Sequence, residues 1–158
     1  MDDLLDTFNR VQDKLLTIVD LINTGHKGGV DYGTGDLLTP VEAHTVQAVG
    51  DNQGLNLTTL AETMNVTKAT MSERVKKLSR QGLLRKSKAL DNRKEILITL
   101  SDKGRLVQKG HEETHRKMFK FFTSHYGDQT EEQLELFNRA FNDYLRLARS
   151  IEGGGKRE

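Results

Sequence analysis

Two short helical patterns meeting at a tight turn, a basic hairpin directly after them, and long apolar stripes at both ends of the chain predict a mainly α (α+β) fold. With 158 residues and no internal repeat, the chain fits one compact domain or two small lobes. No apolar run approaches the roughly 18 residues a membrane span needs. The start, "MDDLLDTFNR", lacks a basic stretch followed by an apolar block, so we expect a soluble, cytoplasmic protein with no membrane partner. Cysteine is absent, which excludes disulfides, thiolate zinc sites and thiol redox sensing. Any metal must be held by His, Asp or Glu.

Leu4, Phe8, Val11, Leu15, Ile18 and Ile22 line one stripe of a first helix, expected over about 3–23, and suit a packing seam. "TGHKGGVDYGTGD" holds five glycines in thirteen residues and is expected to be a mobile loop. Thr39 then caps a second helix over about 40–50, with Pro40 in its first position and Glu42 completing a capping box. Leu57, Leu60, Ala61 and Met64 mark a third helix; Asn65 suits a left-handed turn, Val66 plugs beneath it, and Thr67 caps a fourth helix closed by Gly82. Met71, Val75 and Leu78 form that helix's buried stripe, leaving Ala69, Thr70, Glu73, Lys76, Lys77 and Arg80 on its outer face. "LLRKS" and "EILITL" read as two strands around the basic tip "KALDNRK", with Ile96, Ile98 and Leu100 alternating to one side. Ser101 caps a long fifth helix to about Ser124, "YGDQT" breaks it, and Leu134, Phe137, Phe141, Tyr144, Ala148 and Ile151 mark the last helix. The tail, 153–158, is expected to be disordered.

Charge divides unevenly: residues 1–37 carry a net −4, 38–100 a net +4, and 101–158 a net +1. Within the middle, residues 67–94 hold ten Lys and Arg against only Glu73 and Asp91, enough to neutralise several phosphates. Two helices at a tight angle, the second polar and basic outside, then a basic hairpin, make a winged helix-turn-helix. A helix fits the DNA major groove, and a thin hairpin reaches the neighbouring minor groove. The residues expected to meet DNA are Thr67, Lys68, Ala69, Thr70, Glu73, Lys76, Lys77 and Arg80 on the helix, and Lys88, Asp91, Asn92, Arg93 and Lys94 on the wing. Glu73 is either a cytosine contact or a tether for Lys77 or Arg80. One helix reading about four base pairs is not selective, so a homodimer on a pseudo-palindromic operator is expected. A helical adaptor binding protein through this basic face is the alternative.

"HEETH", His111 to His115, matches the zinc-protease pattern, in which two histidines four apart hold a metal and the intervening Glu112 serves as base. A zinc-dependent hydrolase needs a third ligand on another element, for which Glu131, Glu132 or Glu135 could be offered. Val107, Met118 and Phe122 share the histidines' face, so the imidazoles are expected to be semi-buried.

"LTPVEAHTVQAV", "NVTKATMSERVKKLSRQGLL" and "DNRKEILITLSDKG", in an order that spans nearly the whole chain, resemble the multiple antibiotic resistance regulator (MarR) family. The resemblance implies a sequence-specific transcriptional regulator of bacterial type, usually a repressor and less often an activator, that needs no cofactor. It implies an obligate dimer whose lobe is built from residues 1–37 and 101–152, with the DNA-binding lobe at 38–100. It also implies that Arg93 enters the minor groove while Asp91 orients it; Lys94 stands where the family often has a second arginine. Its second helix packs near the start of the fifth, so His44, His111 and His115 are expected to converge where effectors act. Zinc-sensing members carry similar histidines, with an acidic residue before the first where this chain has Ala43; members repressing fatty-acid synthesis genes, with an acyl-carrier corepressor, look alike at the same three. The effector is accordingly zinc or a small organic ligand, or the histidines simply bond to each other and to backbone. If metal binds, His26 or Asp31 could complete the set.

Overall fold

The computed structural model describes residues 2–25, 28–52, 54–88 and 96–154. Among the described residues, six helices and five strands follow in the order α1 (Asp2–Gly25), β1 (Val30–Asp31), β2 (Leu37–Leu38), α2 (Pro40–Asp51), β3 (Leu55–Asn56), α3 (Leu57–Thr63), α4 (Lys68–Arg80), β4 (Leu84–Lys88), β5 (Ile96–Leu100), α5 (Asp102–Tyr126) and α6 (Thr130–Gly154). The chain is thus mainly helical with small antiparallel sheets, as its sequence predicts. Asp91, Asn92, Arg93 and Lys94 of the wing tip, and His26, lie outside the described residues. So does 155–158 of the expected tail, while α6 continues to Gly154.

Contacts divide the chain into two units, 1–113 and 114–158. In the first, a three-stranded sheet runs in the order β3-β5-β4, with Leu84 opposite Leu100 and Lys88 opposite Ile96. Its core joins Leu38, Val46, Val49, Leu60, Met71, Val75, Leu78, Leu83, Ile98 and Val107, all within 1% of full burial. Of the alternating residues on β5, Ile98 and Leu100 are buried but Ile96, nearest the tip, is 53% exposed.

Local signals explain why the elements begin where they do. Thr39 accepts from the Glu42 N–H at 3.3 Å and the Glu42 carboxylate accepts from the Thr39 N–H at 3.0 Å, closing the capping box on α2. Asn65 takes φ 51°, the left-handed turn between α3 and α4. Ser101 Oγ accepts from the Gly104 N–H at 2.9 Å, capping α5, and donates to the carbonyls of Gly82 and Leu83 at 2.6 and 3.1 Å. The turn after α4 is thereby stitched to the start of α5.

Where composition predicts a mobile loop, the described part of the glycine-rich stretch forms a short hairpin. Val30–Asp31 pairs with Leu37–Leu38, and Asp31 Oδ1 accepts from the N–H groups of Gly33, Thr34 and Gly35 at 2.8–3.0 Å. These three bonds hold the Asp31 carboxyl below its ordinary range. Tyr32, at the bend, is buried, and burial raises its phenol pKa. Lys103 of α5 fastens the loop by an ion pair to Asp36 at 2.7 Å.

The second unit is a helical hairpin: the end of α5 and α6 join through a 3₁₀ turn, Gly127–Gln129. Phe122 and Tyr126 pack on Phe137 with ring centroids 6.4 and 6.5 Å apart. Apolar side chains stay uncovered on the long helices: Leu4, Phe8, Val11, Ile18 and Ile22 on α1, and Leu136, Phe141, Leu145 and Leu147 on α6, are all at least 47% exposed.

Candidate nucleic-acid interface and histidine cluster

α4 presents two unlike faces. Met71, Val75 and Leu78 are fully buried, while Lys68, Ala69, Thr70, Glu73, Lys76, Lys77 and Arg80 are all exposed. Thr67 caps the helix by accepting from the Thr70 N–H at 3.2 Å, and its hydroxyl lies 2.9 Å from that of Thr70. A convex helix with small residues at its leading end and cations behind them can enter a major groove, with the cations reaching flanking phosphates.

The α4 cations do different work. Lys77 Nζ lies 2.6 Å from Glu42 of α2, a carboxylate only 9% exposed, and Arg74 donates to Thr45 Oγ1 of α2 at 3.2 Å. Burial alone would raise the Glu42 carboxyl, but the Lys77 hydrogen bond and charge, with the Thr39 N–H, outweigh it and hold it below its ordinary value. Lys77 and Arg74 therefore brace α4 against α2. Lys76 is paired with Glu73 at 2.7 Å, so the Glu73 tether is the nearer Lys76, not Lys77 or Arg80. That hydrogen bond lowers the Glu73 pKa, with a smaller contribution from the charge of Arg80.

Lys76, Ser79 and Arg80 also share an open groove with Leu84 and Lys86 of β4. Lys86 was missed by sequence reasoning, which looked for cations at the wing tip; the run Arg85, Lys86, Lys88 beside the buried Leu84 is the signal that points to it. Lys88 is exposed at the end of β4.

The second constellation lies on α2 and α5. His111 is buried at 3% exposure, with the His44 ring centroid 4.9 Å away at 74° and that of Tyr32 at 5.5 Å and 68°. His115 follows one turn later on the same unbroken helix and is exposed, as is His44. Each of the three histidines offers a ring nitrogen, His44 from α2 and His111 and His115 from α5. Asp31, engaged with its own turn, is not in this group. Glu131, Glu132 and Glu135 are exposed on α6.

Gly110 explains how the hairpin seats against α5. A Cβ there would stand 2.3 Å from the Tyr32 carbonyl oxygen, so only glycine admits this approach. His44 sits between Glu42 and Thr45, the two residues that hold α4. One helix thus carries both a member of the histidine cluster and the braces of α4.

Known proteins share the chain's sequence pattern and fold. The model of the MarR family matches residues 38–96, which cover α2 through the start of β5. The HTH-type transcriptional regulator YhjH of Bacillus subtilis is 36% identical over 129 residues, covering 79% of this chain and 74% of that protein. Among solved structures, Streptococcus pneumoniae FabT in complex with DNA aligns with a TM-score of 0.69 at 16% identity, covering 91% of this chain and 99% of FabT. Lactococcus lactis ZitR, described as a zinc-responsive MarR family member, aligns with a TM-score of 0.66 at 19% identity, covering 88% of this chain and 99% of ZitR.

Proposed function

This chain belongs to the MarR family of DNA-binding transcriptional regulators, and from that premise we propose that it acts in the cytoplasm as a homodimeric, effector-responsive repressor. It is not an enzyme, and the hydrolase reading of HEETH is set aside on that ground. The observation that carries the DNA-reading role is the exposed face of α4, small and polar at its start and cationic along its length. Two such helices on a two-fold axis would read the half-sites of a pseudo-palindromic operator, with Arg93 of each wing in the flanking minor groove and Asp91 orienting it. The exposed apolar stripes of α1 and α6 support pairing, because surfaces of that extent on a free chain draw it into association. Residues 1–37 and 101–152 would form the dimerisation lobe and 38–100 the DNA-binding lobe. Light scattering at micromolar concentration, with the salt dependence of binding to duplex DNA, tests this. We expect a dimer and a steep negative log–log slope; a monomer, or binding indifferent to salt, would falsify it.

For the effector we infer zinc at His44, His111 and His115. The donor set fits: three imidazoles, His111 and His115 one turn apart on α5 and His44 beside His111 on α2, are ligands zinc favours, and small ring rotations would bring their nitrogens to the roughly 3.4 Å spacing of a tetrahedral site. When bound, the ion would draw the α2 and α5 histidines together, and water or a further ligand would complete the shell. A ligand that favours one arrangement of α2 over another changes DNA affinity by its differential affinity for the two. The relative described as zinc-responsive supports this reading. Operator binding compared in chelator and in added zinc, for the natural chain and His111→Ala, decides it: a zinc effect lost in the variant is expected, and equal binding in all four conditions removes zinc from the account.

A further inference from the structure

Glu73 is the sole acidic residue of the recognition helix, in the sequence KATMSERVKKLSR. It lies four residues after Ala69 and three after Thr70, on the exposed face, with its side chain 70% accessible. A carboxylate aimed at a polyanion weakens binding unless it finds a donor. Its free-state partner is Lys76 at 2.7 Å, itself 56% accessible, so the pair is held by an exposed contact that is weak in water and opens readily. In the major groove only the N6 amino group of adenine and the N4 amino group of cytosine are donors. Adenine sets the N7 acceptor beside its amino group, where it repels a carboxylate; cytosine does not.

We propose that Glu73 is a specificity-determining residue: in the free protein Lys76 holds its carboxylate, and on the operator that carboxylate accepts from cytosine N4 while Lys76 turns to a neighbouring phosphate. This rests on the reading of α4 as the helix that enters the major groove. On random sequence the exchange is incomplete. Lys76 must leave its partner to reach a phosphate, and Glu73 is left facing the backbone without a donor. The residue therefore lowers affinity for DNA in general while rewarding one base, which is how a single acid on a basic helix separates target from genome.

The test uses the full-length protein, a randomised duplex library, and then the selected duplex with each cytosine in turn replaced by N4-methylcytosine. That base still pairs with guanine but carries a methyl group where the major-groove hydrogen was. For the natural chain we expect one cytosine in each half-site at which methylation weakens binding roughly fivefold or more. Glu73→Ala should be indifferent to methylation at that position. Glu73→Gln should bind random duplex more tightly, with a steeper salt dependence by about one phosphate contact, and should select adenine there, since an amide pairs with both N6 and N7. If methylation acts alike on the natural chain and Glu73→Ala at every cytosine, the proposal is wrong. It is wrong also if Glu73→Gln merely binds all duplexes more tightly and selects the same sequence. A natural chain that selects no sequence overturns the regulator reading itself, a different result from a selected site that ignores residue 73.

Discussion

At the residue scale, the most informative side chain is Glu42, which caps α2 and anchors Lys77 of the recognition helix at once. Only the first role was legible in the sequence: Thr39 and Glu42 are three apart, whereas Lys77 is far along the chain and no local pattern announces the pair. Glu42→Gln keeps the capping geometry, since glutamine serves in a capping box, but loses the charge. We expect it to cost about 1 kcal/mol of stability at pH 7 in urea titration. The sign of the pH effect follows from a folded pKa below the unfolded value of 4.5. The charged group stabilises the fold above that value, and the contribution disappears as pH falls through the folded pKa. The natural chain should therefore lose more stability than Glu42→Gln between pH 7 and pH 4; parallel losses would show that the pair contributes nothing. On the wing, Arg93→Ala should weaken operator binding by roughly 1–3 kcal/mol, read by fluorescence anisotropy at fixed salt, and unchanged affinity would take the tip out of the interface.

At the element scale, the hairpin at Val30–Leu38 shows where sequence reading stops. Five glycines in thirteen residues predict mobility because each removes a restraint on the backbone. Here Asp31 organises the turn and Tyr32 buries itself beside His111, a contact made with a helix some eighty residues away. The helix-turn-helix was legible for the opposite reason: Thr67, Asn65 and the Met71–Val75–Leu78 stripe act within one or two turns. For the histidines, periodicity put His111 and His115 on one face, but it could not tell that the first is buried and the second exposed. Gly110→Ala should push the hairpin off α5, since the added carbon meets backbone rather than a movable side chain. A loss of about 1–3 kcal/mol is expected, with faster amide exchange confined to residues around Tyr32. A variant as stable as the parent would mean the seat is softer than its geometry implies.

At the scale of the whole molecule, a free subunit that exposes Phe8 at 48% and Phe141 at 50% should not persist alone if these stripes are its pairing surface. Phe8→Glu should leave the winged domain folded by circular dichroism yet yield monomers, with operator affinity reduced about a hundredfold or more, because each half-site then binds independently. Undisturbed dimers would place the interface elsewhere. Linkage adds a second whole-molecule expectation: if zinc strengthens operator binding by some factor, operator DNA must tighten zinc binding by the same factor, and calorimetry of the two titrations should agree. The joint between the recognition helix and α5 bears on how such a signal would travel. Ser101 ties the carbonyls of Gly82 and Leu83, Lys103 donates to the Gln81 carbonyl at 3.2 Å, and a Cβ on Gly104 would fall 2.2 Å from the Leu83 oxygen. At Gly104 main chain abuts main chain, closer than any added side-chain carbon would allow. A joint of that kind has little play: when α5 turns, the turn that ends α4 has to swing with it, and rotamer hopping is not available to absorb the movement.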